Sequence, residues 1–244
     1  MTDYTLYYWP IQFRGQIVRA VLAASGADWD EAGMQPTADL RAALPAEQPV
    51  PHMGPPVLAD HAAGTTLSQM PAILGYLGRR HGLMPGDPGL AAMSDKIVAD
   101  ANDVLYEMTL YNGAQMWTAA AWADYRPRLA RWMTLFEETG RRHGLSAEGG
   151  TLLGTGAPGI ADLTAATLWG VMTDRFPALR PMLDATTPAL AALCDRVRAR
   201  PDQADLQRWS DARFGDAWCG GQIEASLRTV LEAAGTSDDT PQAG

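Results

Sequence analysis

Gly54-Pro55-Pro56-Val57-Leu58-Ala59-Asp60 and, after a short polar turn, Leu67-Ser68-Gln69-Met70-Pro71-Ala72-Ile73-Leu74-Gly75-Tyr76-Leu77 together read as strand, turn and helix. A proline cannot donate to a ladder, so Pro56 is expected at the start of the strand rather than inside it. Ala59-Asp60-His61-Ala62-Ala63-Gly64 supplies the turn, with Gly64 suited to a positive φ. Ser68 reads as a helix N-cap and Pro71 fits a first helical turn, where its missing N–H costs nothing. Ile73, Leu74 and Leu77 then recur at helical spacing. A strand that feeds a helix in this way leaves backbone N–H groups free at the helix start, a ready site for an anion.

Working outward, Thr5-Leu6-Tyr7-Tyr8-Trp9 is an aromatic strand stopped by Pro10. Phe13-Arg14-Gly15-Gln16 leads into a helix that ends near Gly26, and Ala27–Glu31 is a short second strand. Residues 35–53 read as loop or short helix. The order is therefore β-α-β-α-β-β-α, a thioredoxin-like layout. It lacks a Cys-x-x-Cys, which argues against thiol–disulfide exchange by the protein itself.

Pro/Gly-rich residues 83–90 read as a linker between an α/β domain (1–82) and an all-helical domain (91–234). Beyond the linker, helical patterns run over residues 91–113, 124–143, 162–172, 188–200, 206–214 and 222–234, with an unstructured tail expected over 235–244. Trp218-Cys219-Gly220-Gly221 reads as a flexible hinge before the last helix.

The 244 residues are enough for one large or two small cores. No apolar run of about 18 residues appears, and the N-terminus lacks the features of a signal peptide, so a membrane span and export are not expected. A net charge of −9 argues against nucleic acid and anionic membrane surfaces. Cys194 and Cys219 are unpatterned and suit a reducing, cytoplasmic setting. The four histidines form no ligand-spaced cluster, so no metal is expected.

The Pro-Val-Leu-x-Asp and Leu-Ser-Gln-x-x-Ala-Ile-Leu-x-Tyr-Leu patterns resemble the glutathione-binding domain of the cytosolic glutathione S-transferase family. So does Gly159-Ile160-Ala161-Asp162, which occupies the place of that family's helix capping box. Tyr7-Tyr8-Trp9-Pro10 followed by Arg14-Gly15 resembles the tyrosine-type members, here of a bacterial kind, with two extra residues between Pro10 and Gly15.

The resemblance implies a glutathione transferase fold, glutathione as co-substrate, a small hydrophobic electrophile as second substrate, a role in detoxification and a homodimer. It implies that Tyr8 stabilises the thiolate. Pro55, before a cis Pro56, would hold the cysteinyl backbone, and Gln69 and Met70 the γ-glutamyl end. Asp100 would reach the partner's γ-glutamyl amine. Arg14 and Arg19 could meet carboxylates, and Tyr106, Tyr111, Met116, Trp117 and Trp169 are candidates for the electrophile pocket. Three positions depart from the family pattern. Met70 lacks the usual hydroxyl, Pro55 lacks an N–H, and Gly54 replaces a side chain. Pro55 and Met70 favour an alternative, a non-catalytic binding or regulatory protein with weak glutathione affinity, whereas the intact Tyr8-Trp9-Pro10 and Gln69 favour the enzyme. A glutathione-dependent isomerase or peroxidase is a further alternative.

Overall fold

The computed structural model describes residues 2–238. Four strands, β1 (Tyr4–Tyr7), β2 (Trp29–Glu31), β3 (Val57–Asp60) and β4 (Thr65–Ser68), form one sheet in the order β2-β1-β3-β4. The β1–β2 pair is parallel, and β3 and β4 add antiparallel. Helix α1 (Arg14–Ser25) makes the crossover between β1 and β2, and α2 (Met34–Ala42) follows β2. Helix α3 (Met70–Arg80) leaves β4 and packs beside α1. This is the expected thioredoxin-like order, with α2 occupying part of the unassigned 35–53 stretch.

One cap moves. Ser68 completes β4 by pairing with Val57, so the ladder claims it and Gln69 becomes the N-cap of α3. Pro71 lies in the first turn, as expected.

The helical half begins earlier than expected. Asp87 caps α4 (Pro88–Met108) by accepting from the Leu90 N–H at 2.9 Å, so α4 includes the last residues of the expected linker. The pattern predicted to run to 113 stops at Met108. Leu110, Tyr111 and Asn112 all have φ between 42° and 61°, and they form a left-handed turn, α5 (Leu110–Gly113), that no helix can pass through.

Helix α6 (Ala119–Arg142) opens on Thr118, whose hydroxyl accepts from Ala121. The buried helix α7 (Ile160–Ala166) runs through a π-helical stretch (Thr167–Val171) into α8 (Met172–Arg175). A 3-10 turn (Pro177–Leu179), α9 (Arg180–Thr186), α10 (Pro188–Arg198), α11 (Pro201–Phe214) and α12 (Gly221–Asp238) follow. The backbone of α12 thus continues into the expected tail. The remaining tail residues lie outside those described. Among the described residues no helix is long and apolar enough to cross a membrane.

Helix α7 is the centre of the molecule, packed against α1, α3, α4 and α10 and buried along its length. The Asp162 carboxylate accepts from Gly159 N–H at 2.9 Å and from Leu152 N–H at 2.7 Å. Residue 159 has a packing reason to be glycine, because a Cβ there would lie 2.6 Å from the Leu83 carbonyl oxygen. Asp162→Ala strands two inward N–H groups, at about 1–3 kcal/mol each. It is expected to cost about 2–6 kcal/mol in urea melts, with Asp162→Asn less damaging because one acceptor remains.

Candidate functional site

Along β1 and its extension Tyr4, Leu6 and Tyr8 are buried, whereas Thr5 and Tyr7 are half-buried on the opposite face. Strand register then gathers three sequence-distant segments. Tyr7 pairs with Val57, and Val57 with Ser68, so Tyr8, Pro56 and Gln69 leave the sheet at the same end.

Tyr8 is 3% exposed, and its ring lies against Gly15, where a Cβ would stand 2.2 Å from Cδ1. Burial pushes its hydroxyl up to about 12. The Arg14 guanidinium, the Gly15 N–H, Arg19 and the Arg14 N–H pull the other way. The group is therefore a protonated donor at neutral pH. Gly15→Ala is expected to force the ring aside by about 1 Å and to lower stability by about 1–3 kcal/mol, which thermal melts check.

Arg14 opens α1, donates from Nε to Asn102 Oδ1 on α4 at 3.1 Å, and stacks on the Phe13 ring at 4.8 Å. It makes no ion pair among the described residues. Burial pulls its guanidinium below the usual range, with Tyr8 and Cys219 opposing. An unpaired, half-buried cation beside a phenol donor favours an anion there.

Arg19 meets a carboxylate, as expected, but that of Glu31 within the chain. It is fully buried, and its fork is spent on Glu31, at 2.7 and 3.2 Å, and on the carbonyls of Ile11 and Trp9, at 2.8 and 3.1 Å. Its guanidinium lies between the rings of Tyr8 and Phe214. It holds the β1–α1 loop and leaves no donor for a substrate.

The Pro55–Pro56 peptide is cis, and Pro55 contributes a carbonyl without an N–H. Gln69 is exposed and has φ 71°, a left-handed conformation that costs a non-glycine residue about 1–3 kcal/mol. Met70 sends its side chain into the core, so only its backbone can face a ligand. Because Pro71 has no N–H, the free donors at the start of α3 are those of Met70 and Ala72. On the other side of Tyr8 a cavity of about 280 Å³ reaches Gly33, Met34 and the α11 residues Trp209, Arg213 and Phe214. Those α11 residues carried no signal in the sequence.

Asp100 stands on α4, ion-paired with Lys96. Tyr106 and Tyr111 are exposed and meet edge-to-face with centroids 5.3 Å apart, and Met116 is exposed near Ser226 of α12. Trp117 differs. It is 4% exposed, donates from Nε1 to the Met108 carbonyl and packs on Trp122 and Tyr125, so it braces the α4–α6 corner instead of lining a pocket. Trp169 is likewise core.

The expected hinge at Trp218–Gly221 is pinned. Trp218 inserts edge-on between Phe13 and Phe176, and Glu224 accepts from the N–H groups of Trp218, Cys219 and Gly220. Asn102, Gln12 and Glu224 are residues that sequence reading missed.

The chain matches the family model described as Glutathione S-transferase, C-terminal domain, over residues 93–230, more than half its length. Among solved structures, a Nu-class GST from Haemonchus contortus is 25% identical with a TM-score of 0.66, covering 87% of this chain and 98% of its own. NaGST-2 is 19% identical (TM-score 0.68; 85% and 97% covered). Prostaglandin synthase D of Nilaparvata lugens is 18% identical (TM-score 0.62; 84% and 97%). Neither named organism is a bacterium, so these neighbours lend no support to the bacterial part of the resemblance. No curated protein matches.

Proposed function

The chain belongs to the glutathione S-transferase family, and from that premise we propose that it is a tyrosine-type transferase joining glutathione to small hydrophobic electrophiles. The observation that carries this reading is the convergence of Tyr8, Pro55–Pro56 and Gln69–Met70 at one end of the sheet, with the unpaired Arg14 beside Tyr8. A free thiol with a pKa near 8.5 is only a few per cent thiolate at pH 7. The Tyr8 hydroxyl donates to the sulfur and Arg14 supplies positive potential. A depression of two units corresponds to about 2.7 kcal/mol. The thiolate then attacks the electrophilic carbon, a C–S bond forms and the leaving group departs with the bonding pair.

Gln69 and the N–H groups at the start of α3 would hold the γ-glutamyl end. Tyr106, Tyr111 and Met116 would border the electrophile. In a homodimer, Asp100 would reach the partner's glutathione. The setting is cytoplasmic and the role detoxification. Retention on immobilised glutathione, together with turnover of a nitrohaloarene, tests the reading. Retention without turnover would favour the binding-protein alternative, and neither would overturn both.

That alternative draws on Pro55 and Met70, which offer fewer groups to glutathione than an N–H-bearing residue and a hydroxyl would. A missing ligand hydrogen bond costs about 0.5–1.5 kcal/mol, roughly three- to tenfold in affinity. Pro55→Leu supplies the absent donor and is expected to tighten glutathione binding by that factor in titration calorimetry. Unchanged affinity would mean that the glutathione carbonyl is already served.

A further inference from the structure

We infer that Gln12 is a positioning residue, through which the C-terminal segment holds the loop carrying Tyr8 and Arg14 in register for thiolate stabilisation. The inference rests on the glutathione reading above. Gln12 lies near the α1 end of the β1–α1 loop, two residues before Arg14, and is 1% exposed. Its backbone N–H donates to the Ala217 carbonyl at 3.0 Å. Its Nε2 donates to Asp211 Oδ1 at 3.0 Å and to the Gly215 carbonyl at 3.2 Å. Its Oε1 accepts from Gln207 Nε2 at 3.1 Å and from Arg175 Nη2 at 3.4 Å. Every donor and acceptor of the side-chain amide is thus committed to α8, α11 or the α11–α12 connection. Only an amide offers two donors and an acceptor oxygen in that volume.

The chain of contacts continues to α12. Arg175 also binds Asp211 and Asp216, and Arg228 of α12 donates to the carbonyls of Arg175 and Asp216. Next in sequence to Gln12, the Phe13 ring rests on Trp218 at 4.8 Å, and the following residue is Arg14. On the other side, the Ile11 and Trp9 carbonyls are held by Arg19. The loop is fixed at each of these points, and Gln12 is where the C-terminal segment grips it by hydrogen bonds. A displacement of the order of 1 Å in a positioned catalytic group can cost about 100-fold in rate.

The test compares Gln12→Glu, Gln12→Glu/Asp211→Asn and Gln12→Met. Gln12→Glu sets two carboxylates against each other. Adding Asp211→Asn restores a donor–acceptor pair with reversed polarity. Gln12→Met keeps the length of the side chain without its hydrogen bonds, and it serves if Gln12→Glu does not fold. Three readouts are taken: the apparent pKa of bound glutathione from ultraviolet thiolate absorbance, kcat against KM, and hydrogen–deuterium exchange over residues 9–15. Gln12→Glu and Gln12→Met are expected to raise the thiol pKa and lower kcat by about tenfold or more. The KM for glutathione is expected to stay within about threefold, exchange over 9–15 to rise, and the double variant to recover most of the kcat. An unchanged thiol pKa and kcat in a folded single variant, or no recovery in the double variant, would overturn the inference. A wild-type chain that does not lower the thiol pKa would instead refute the glutathione reading. Exchange over 9–15 in Gln12→Met then judges the coupling alone: a rise supports it, and no change refutes it.

Discussion

Tyr8→Phe is expected to lower the conjugation rate at near-neutral pH by about one to two orders of magnitude while the protein stays folded. The hydroxyl is the only part removed, and the ring keeps its seat against Gly15 and under Arg19. Burial pushes Tyr8 up to about 12, so the wild-type donor stays protonated across the neutral range. The pH dependence of the rate then reports the glutathione thiol. Losing the donor moves that inflection upward, towards the free-thiol value near 8.5. The deficit is therefore expected to be largest below neutrality, to narrow as pH rises towards that value and to be small beyond it. Tyr7→Phe, on the opposite face, is expected to change little. A larger loss in Tyr7→Phe than in Tyr8→Phe would reassign the donor. Equal small losses would leave Arg14 as the activating group.

Trp218→Ala is expected to cost about 3–5 kcal/mol of stability in urea melts and to lower turnover as well. The indole is 1% exposed, and it fills the space between the β1–α1 loop and the end of α8 through edge contacts to Phe13 (4.8 Å) and Phe176 (5.2 Å). Its removal leaves a cavity whose walls are held by other contacts and collapse only in part. The same removal frees the Phe13 ring on which Arg14 stacks, so kcat is expected to fall even where the variant is fully folded. Trp218→Phe, which keeps an aromatic edge, is expected to recover part of both losses. A Trp218→Ala variant with wild-type kcat and reduced stability alone would show that the Phe13 seat does not govern the site.

The candidacy of Tyr8 and Gln69 came from the family resemblance; by itself, the sequence determined the order of strands and helices in the first 80 residues and the special turn at Pro55–Pro56. These are local matters. Proline's missing N–H, period-two burial and helical periodicity act within a few residues and need no distant partner. Tertiary structure decided whatever depends on a partner far along the chain. Ser68 looks like a cap in isolation, but pairing with Val57 takes it into the sheet and passes the cap to Gln69. The long helix stops at Met108 because Leu110, Tyr111 and Asn112 turn left-handed, a conformation their side chains do not announce. Gly159 replaces a hydroxyl cap because the Leu83 carbonyl occupies the space of a Cβ. Arg19 and Trp117 look like ligand-facing residues, yet Glu31 and the Met108 carbonyl claim their donors. Gln12 meets Asp211 across 199 residues of chain. No periodicity or propensity reports such a contact, because it exists only once α11 has packed against α1.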